Sequence, residues 1–152
     1  MGTRFKGTRQ QVGSLDAYIK LMRAADSATT RIHRHLTPAK LTVSQFGALE
    51  ALYHIGPLCQ RELGHKILKS SGNMTTVVDN LEIRGLVLRK RSLQDRRLLH
   101  VHLTAQGHKL IEGLFPRHAA RVVEEMSALN AAEMAELGRL CRKLGLGNEK
   151  PE

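Results

Sequence analysis

The sequence has no tryptophan, and its few phenylalanines and tyrosines make up only 3% of the residues. That scarcity disfavours proteins that hold single-stranded nucleic acid by stacking bases on aromatic platforms, and it leaves duplexes open. Cysteine is scarce too. Cys59 and Cys141 lie too far apart for zinc-knuckle spacing, and one disulfide is an odd framework for 152 residues. Both are expected to be small, reduced core or interface residues. No run of 18 apolar residues exists, because Glu50 and His54 break the richest stretch, and no apolar core follows Arg4 and Lys6. The expectation is a cytosolic (cytoplasmic) chain with no membrane partner. A GxSxG elbow, a phosphate-binding glycine loop, HExxH and a credible nucleophile–base pair are all missing, so neither catalysis nor a cofactor is expected.

What is present is positive charge, unevenly placed. The net charge is +10, from 24 Lys and Arg against 14 Asp and Glu. Residues 105–152 are neutral overall, so the whole excess lies in residues 1–104. A single domain spanning 1–152 that holds a polyanion with one part of its surface fits this segregation; an anionic membrane is the competing reading.

Apolar periodicity divides the chain. Residues 1–13 carry Gly, Thr, Arg and Lys without period and read as a basic flexible arm. Over 14–36, Leu15, Tyr18, Ile19, Met22, Ala25, Ile32 and Leu36 recur at helical spacing, with Ser14 as N-cap and Thr37–Pro38 as the stop. Residues 41–104 hold a helix capped by Thr42 or Ser44 and ended by Gly56, a short helix over Gln60–Ile67, and a helix with Met74, Val77, Val78 and Leu81 on one stripe. After Gly85 the period becomes 2, predicting strands over 86–91 and 99–103 around a polar tip. Two further helices fill 105–146, capped by Thr104 and Asn130, the first expected to kink at Pro116. The fold class is mainly α with a small β-hairpin, a winged helix-turn-helix.

At 100° per residue, the face opposite Met74 on the helix that Ser70 and Ser71 cap and Arg84 and Gly85 end carries Gly72, Thr75, Thr76, Asp79 and Asn80. Small polar residues are poor helix formers, and a water-facing helix ordinarily uses Lys, Glu and Arg instead. A DNA major groove suits them: Asn73 and Asn80 can pair with adenine, Thr75 and Thr76 can meet base edges, and Ser70 and Ser71 lie where a helix N-terminus attracts phosphate. The bland alternative is a second buried face. Asp79 is awkward, since it must either accept from cytosine or tie down a cation. The hairpin adds Arg84, Arg89, Lys90, Arg91, Arg96 and Arg97, more charge than an edge strand needs to prevent aggregation, and suited to phosphates and a narrow minor groove.

Asp95, Arg97, Val101, Leu103, Thr104 and Gly107 fit DxRxxxVxLTxxG, which resembles the wing signature of the MarR (multiple antibiotic resistance regulator) family; SSGNMTTVVDNLEIRGLVLR, Ser70 to Arg89, is similar to that family's recognition helix and first wing strand. The resemblance implies a homodimer joined by its N- and C-terminal helices, reading a pseudo-palindromic double-stranded operator. It also implies an Asp95–Arg97 ion pair bracing the wing, which leaves Arg96 to reach DNA. The resemblance places Leu15, Tyr18, Ile19, Met22 and Met134, Leu137, Leu140, Cys141, Leu144 in that dimer layer; independently, a charge-neutral C-terminal third with apolar stripes on two helices is what a self-complementary interface needs. The expected function is a sequence-specific transcriptional regulator, a repressor released by a small-molecule effector whose pocket no motif identifies.

Three alternatives compete with this reading. Eight histidines invite a metal sensor, but no helix carries an i,i+3 or i,i+4 pair, so no metal site is expected. Cys59 near a helix start, followed by Arg61, makes a weak case for redox sensing. Non-specific DNA packaging needs only charge, and equal affinity for specific and random duplexes would favour it.

Overall fold

Helix α1 (Arg9–Ile32) starts earlier than expected, because Thr8 rather than Ser14 caps it. The Thr8 hydroxyl accepts from the Gln11 N–H at 3.2 Å and the Gln11 side chain accepts from the Thr8 N–H at 2.9 Å, a reciprocal box that satisfies two orphan donors. The expected arm over 1–13 is therefore shorter: residues 9–13 are helical, and the Thr3 N–H donates to the Asp16 carboxylate. The computed structural model describes residues 2–67 and 71–147, of which Ser71 and Gly72 are described in backbone only.

At its other end α1 tightens into a 3-10 turn, His33–Leu36, that sinks Leu36 into the core. Then follow α2 (Val43–Ile55), β1 (Leu58–Cys59), α3 (Gln60–Ile67), α4 (Ser71–Ile83), β2 (Val87–Arg91), β3 (Leu99–Leu103), α5 (Ala105–Met126) and α6 (Ala131–Leu146). Thr42, not Ser44, caps α2, again in a box with Gln45, and Gly56 ends it at φ 98°, where a side chain would be strained. The sheet is antiparallel in the order β1-β3-β2, with Arg89 opposite Val101 and Leu58 also opposite Val101. The third strand, β1, was not expected. Two residues are too few to show a period, and only pairing with β3 makes them a strand.

The core lies in the winged module, where Phe46, Leu49, Leu63, Met74, Val78, Leu81, Val87 and Val101 are buried, and Ile111 of α5 is buried with them. One joint ties this module to α5. The Thr104 hydroxyl donates to the Gly85 carbonyl at 2.6 Å and accepts from the Gly107 N–H at 3.0 Å, while the Thr104 N–H donates to the Leu86 carbonyl at 3.1 Å. A Cβ on residue 107 would stand 1.9 Å from the Leu86 oxygen, so only glycine lets α5 come this close. Beyond the joint α5 continues through Pro116, its flanks held by Ile111, Leu114 and Phe115 against the core. Proline removes one helical hydrogen bond, and that packing keeps the helix going.

Neither α1 nor α6 contains a buried residue. The end of α1 is pinned to α5 by the Arg31–Glu125 ion pair, Nε to Oε1 at 2.7 Å.

Candidate nucleic-acid interface

Helix α4 buries Met74, Val78 and Leu81 and exposes Asn73, Thr75, Thr76, Asp79 and Asn80. The small polar face is open to solvent, which removes the alternative of a second packed face. Ser70 lies outside the described residues, and the side chain of Ser71, the first residue of α4, is likewise not described.

Asp79 ties down a cation. Its Oδ1 accepts from Arg89 Nη2 at 2.6 Å, and Arg89 Nη1 lies 3.5 Å from Glu82 Oε1. The Arg89 backbone N–H donates to the other Glu82 oxygen at 3.1 Å. The Arg89 side chain is only 20% exposed, enclosed by acids from α4. Arg89, expected to contact DNA, braces β2 against α4 in this structure. A carboxylate in the last turn of a helix faces the negative end of its dipole, and the guanidinium offsets that.

The wing tip is built by Ser92, which is buried: its hydroxyl accepts from the N–H groups of Gln94 and Asp95 at 3.2 and 3.3 Å, and its own N–H donates to the Leu98 carbonyl. Arg97 donates to Asp95 through its backbone N–H at 3.0 Å and through Nε at 3.2 Å. That side-chain bond, and then the backbone one, holds the Asp95 carboxyl below the ordinary aspartate value. Arg91 reaches across the loop and donates to the Arg96 carbonyl at 2.8 Å. The Arg96 side chain itself points outward and is exposed. Arg84 leaves the wing altogether, with its guanidinium donating to the carbonyls of Ala39 and Lys40 at 3.0 and 2.8 Å and holding the turn before α2.

Sequence reasoning missed Ser92, Gln60 and Glu82. Glu82 had a signal, since it sits one turn beyond Asp79 and faces a basic strand; Gln60 had none, because its partners come from α4 and β2. The histidines are also closer than spacing suggests. His33 and His35 each lie beside His118, ring centroids 5.5 and 5.4 Å apart, because the chain between them turns as a 3-10 helix. Among the described residues no group of three His, Cys, Asp or Glu is arranged to hold a metal ion. Cys59 and Cys141 are both free thiols; Cys141 is exposed, and the Cys59 N–H donates to the Glu62 carboxylate at 2.8 Å.

Residues 41–99 match the MarR family model. The HTH-type transcriptional regulator MhqR of Bacillus subtilis is 37% identical over 133 residues, covering 88% of this chain and 92% of that protein. The chain belongs to the MarR family. Two solved MarR-like structures extend the match across the fold. AbsC, a MarR family transcriptional regulator from Streptomyces coelicolor, superposes with a TM-score of 0.81 at 21% identity, over 94% of this chain and 96% of that one. BpsR of Bordetella bronchiseptica superposes at 0.78 with 25% identity, over 96% and 99%. This MarR-family chain is thus a DNA-binding transcriptional regulator, not an enzyme. Among the described residues no helix is long and apolar enough to cross a membrane.

Proposed function

We propose that the chain is a homodimeric, sequence-specific repressor that a small ligand releases from a pseudo-palindromic operator. One observation carries this reading: apolar stripes stand exposed on α1 and α6, and the small polar face of α4 stands exposed as well. Tyr18 and Leu144 are 59% and 64% exposed, and Leu15, Met22, Met134, Leu137 and Leu140 are exposed beside them. Ile19 is half-buried and Cys141 exposed on the same two faces. Covering such stripes with a second copy is the usual remedy, and a two-fold axis places two recognition helices about one DNA turn apart.

In this reading Asn73, Thr75, Thr76 and Asn80 read base edges, Ser70 and Ser71 meet phosphate at the start of α4, and the Arg96 side chain enters the minor groove. Arg91 and Arg97 shape the tip that presents it. DNA binding by BpsR is regulated by 6-hydroxynicotinic acid. By analogy the effector here is a small aromatic acid, and the cavity of about 630 Å³ between α2, α3 and α5, lined by Phe46, His54, Lys66 and His118, has rings and a cation to receive one. A ligand wedged there acts by changing the spacing of the two α4 helices.

The test is a salt-matched competition between the promoter DNA next to the protein's own gene and a random duplex of equal length. Repression by sequence predicts at least about 1000-fold preference for the former. Equal affinity would leave non-specific packaging as the function.

A further inference from the structure

The side chains that present α4 form a chain of hydrogen bonds with a fixed polarity. Arg89 is only a donor, so the Gln60 atom facing its Nη2 at 3.3 Å must be the amide oxygen. The Gln60 NH2 group then points the other way and donates to the Thr75 hydroxyl at 2.7 Å. The same guanidinium grips Asp79 and Glu82, one turn apart on α4. One residue of the first wing strand therefore fixes both the angular setting of the recognition helix and, through α3, the orientation of a side chain on its reading face. We propose that Arg89 is a positioning residue for base recognition: without touching DNA, it sets sequence preference through the Gln60–Thr75 relay and the Asp79–Glu82 fork. This rests on the reading above that α4 meets base edges.

The consequence differs from that of a phosphate ligand. A lost phosphate contact weakens all duplexes alike and lowers the salt slope by about one ion, whereas a slack relay changes which bases are preferred and leaves the slope alone. Charge does not replace shape either, since lysine lacks the planar fork that holds three acceptors at once.

The experiment selects binding sites from a randomised duplex pool with the full chain and with Arg89→Met, Arg89→Lys, Gln60→Ala and the Arg89→Met/Gln60→Ala pair, after thermal melting has confirmed folding. Expected is a loss of preference of about fivefold or more at the same base pairs for Arg89→Met and Gln60→Ala. The double variant should be no worse than the worse single one, as for two links of one chain. The salt slope should stay at the starting value, and Arg89→Lys should not restore preference. A uniform loss with a reduced slope, rescued by lysine, overturns the proposal and makes Arg89 a phosphate ligand. Should Arg89→Met not fold, Gln60→Ala decides alone, and an unchanged preference there overturns it. If the parent protein selects no motif, base reading itself fails and takes the relay with it; a parent motif that survives every substitution sinks the relay only.

Discussion

The winged module and the terminal helices are both amphipathic, yet they treat their apolar residues in opposite ways. From Leu36 to Ile111 the stripes close on one another, burying Phe46, Leu49, Leu63, Met74 and Leu81 almost completely. In α1 and α6 not one side chain is buried, and Leu137, Leu140 and Leu144 stand in solvent. The contrast separates two uses of the same periodicity. One stripe is satisfied within the chain, and the other is left largely exposed among the described residues and stays apolar at a cost in solubility unless a second molecule covers it.

Four experiments probe that division. The sharpest blow to the self-contained half is Gly107→Ala, whose Cβ collides with the Leu86 carbonyl; it should cost about 3 kcal/mol or more of unfolding free energy, read by denaturant titration. A loss below about 1 kcal/mol would mean that the α5 joint yields easily. For the open half, Leu137→Asp with Leu140→Asp should give a folded monomer by sedimentation and weaken operator binding about 100-fold, because a tethered second half-site is lost. A dimer that survives both changes would place the interface elsewhere.

At the DNA end, Arg96→Ala should lower the salt slope by about 1.8, about 0.9 for each of the two copies in the dimer, and spare the melting temperature. An unchanged slope would remove the wing arginine from the contact. The smallest effect concerns His118, which lies between the two halves, under Phe46 and beside His33 and His35, with the Arg31–Glu125 pair further along α5. Burial, then those two imidazoles, holds its pKa below the ordinary 6.5. The neutral ring is the one that fits the folded state, so its contribution is fully present above 6.5 and is lost as pH falls through the lowered value. Melting temperature should therefore fall less between about pH 7 and about pH 5 for His118→Phe than for the parent chain; parallel curves would rule out a role for this ring.

Much of this was legible in the chain. The boundaries of α3 and the caps Thr104 and Asn130 come from residues a few positions apart, where backbone geometry determines who can meet; Thr42 was one of two cap candidates, and the Asp95–Arg97 brace came with the family resemblance. The start of α1 was missed although its signal, Thr8 and Gln11 in a capping box, is just as local; the basic residues around it suggested a loose arm instead. The bracing role of Arg89 was not legible for a different reason. A cation beside a DNA-reading helix has two uses, and choosing between them requires knowing that Asp79 and Glu82 face it across the α4–β2 turn.

Period, capping and charge asymmetry are properties of neighbours along the backbone, so the order of elements, the polar face of α4 and the basic wing were determined by the sequence itself. Which cations are spent inside the protein and which remain for DNA was decided only when the chain folded, since Gln60, Thr75, Asp79, Glu82 and Arg89 come from three elements and meet solely in space. The same holds for β1 and for the imidazoles around His118: long-range partners, not local preference, make them what they are.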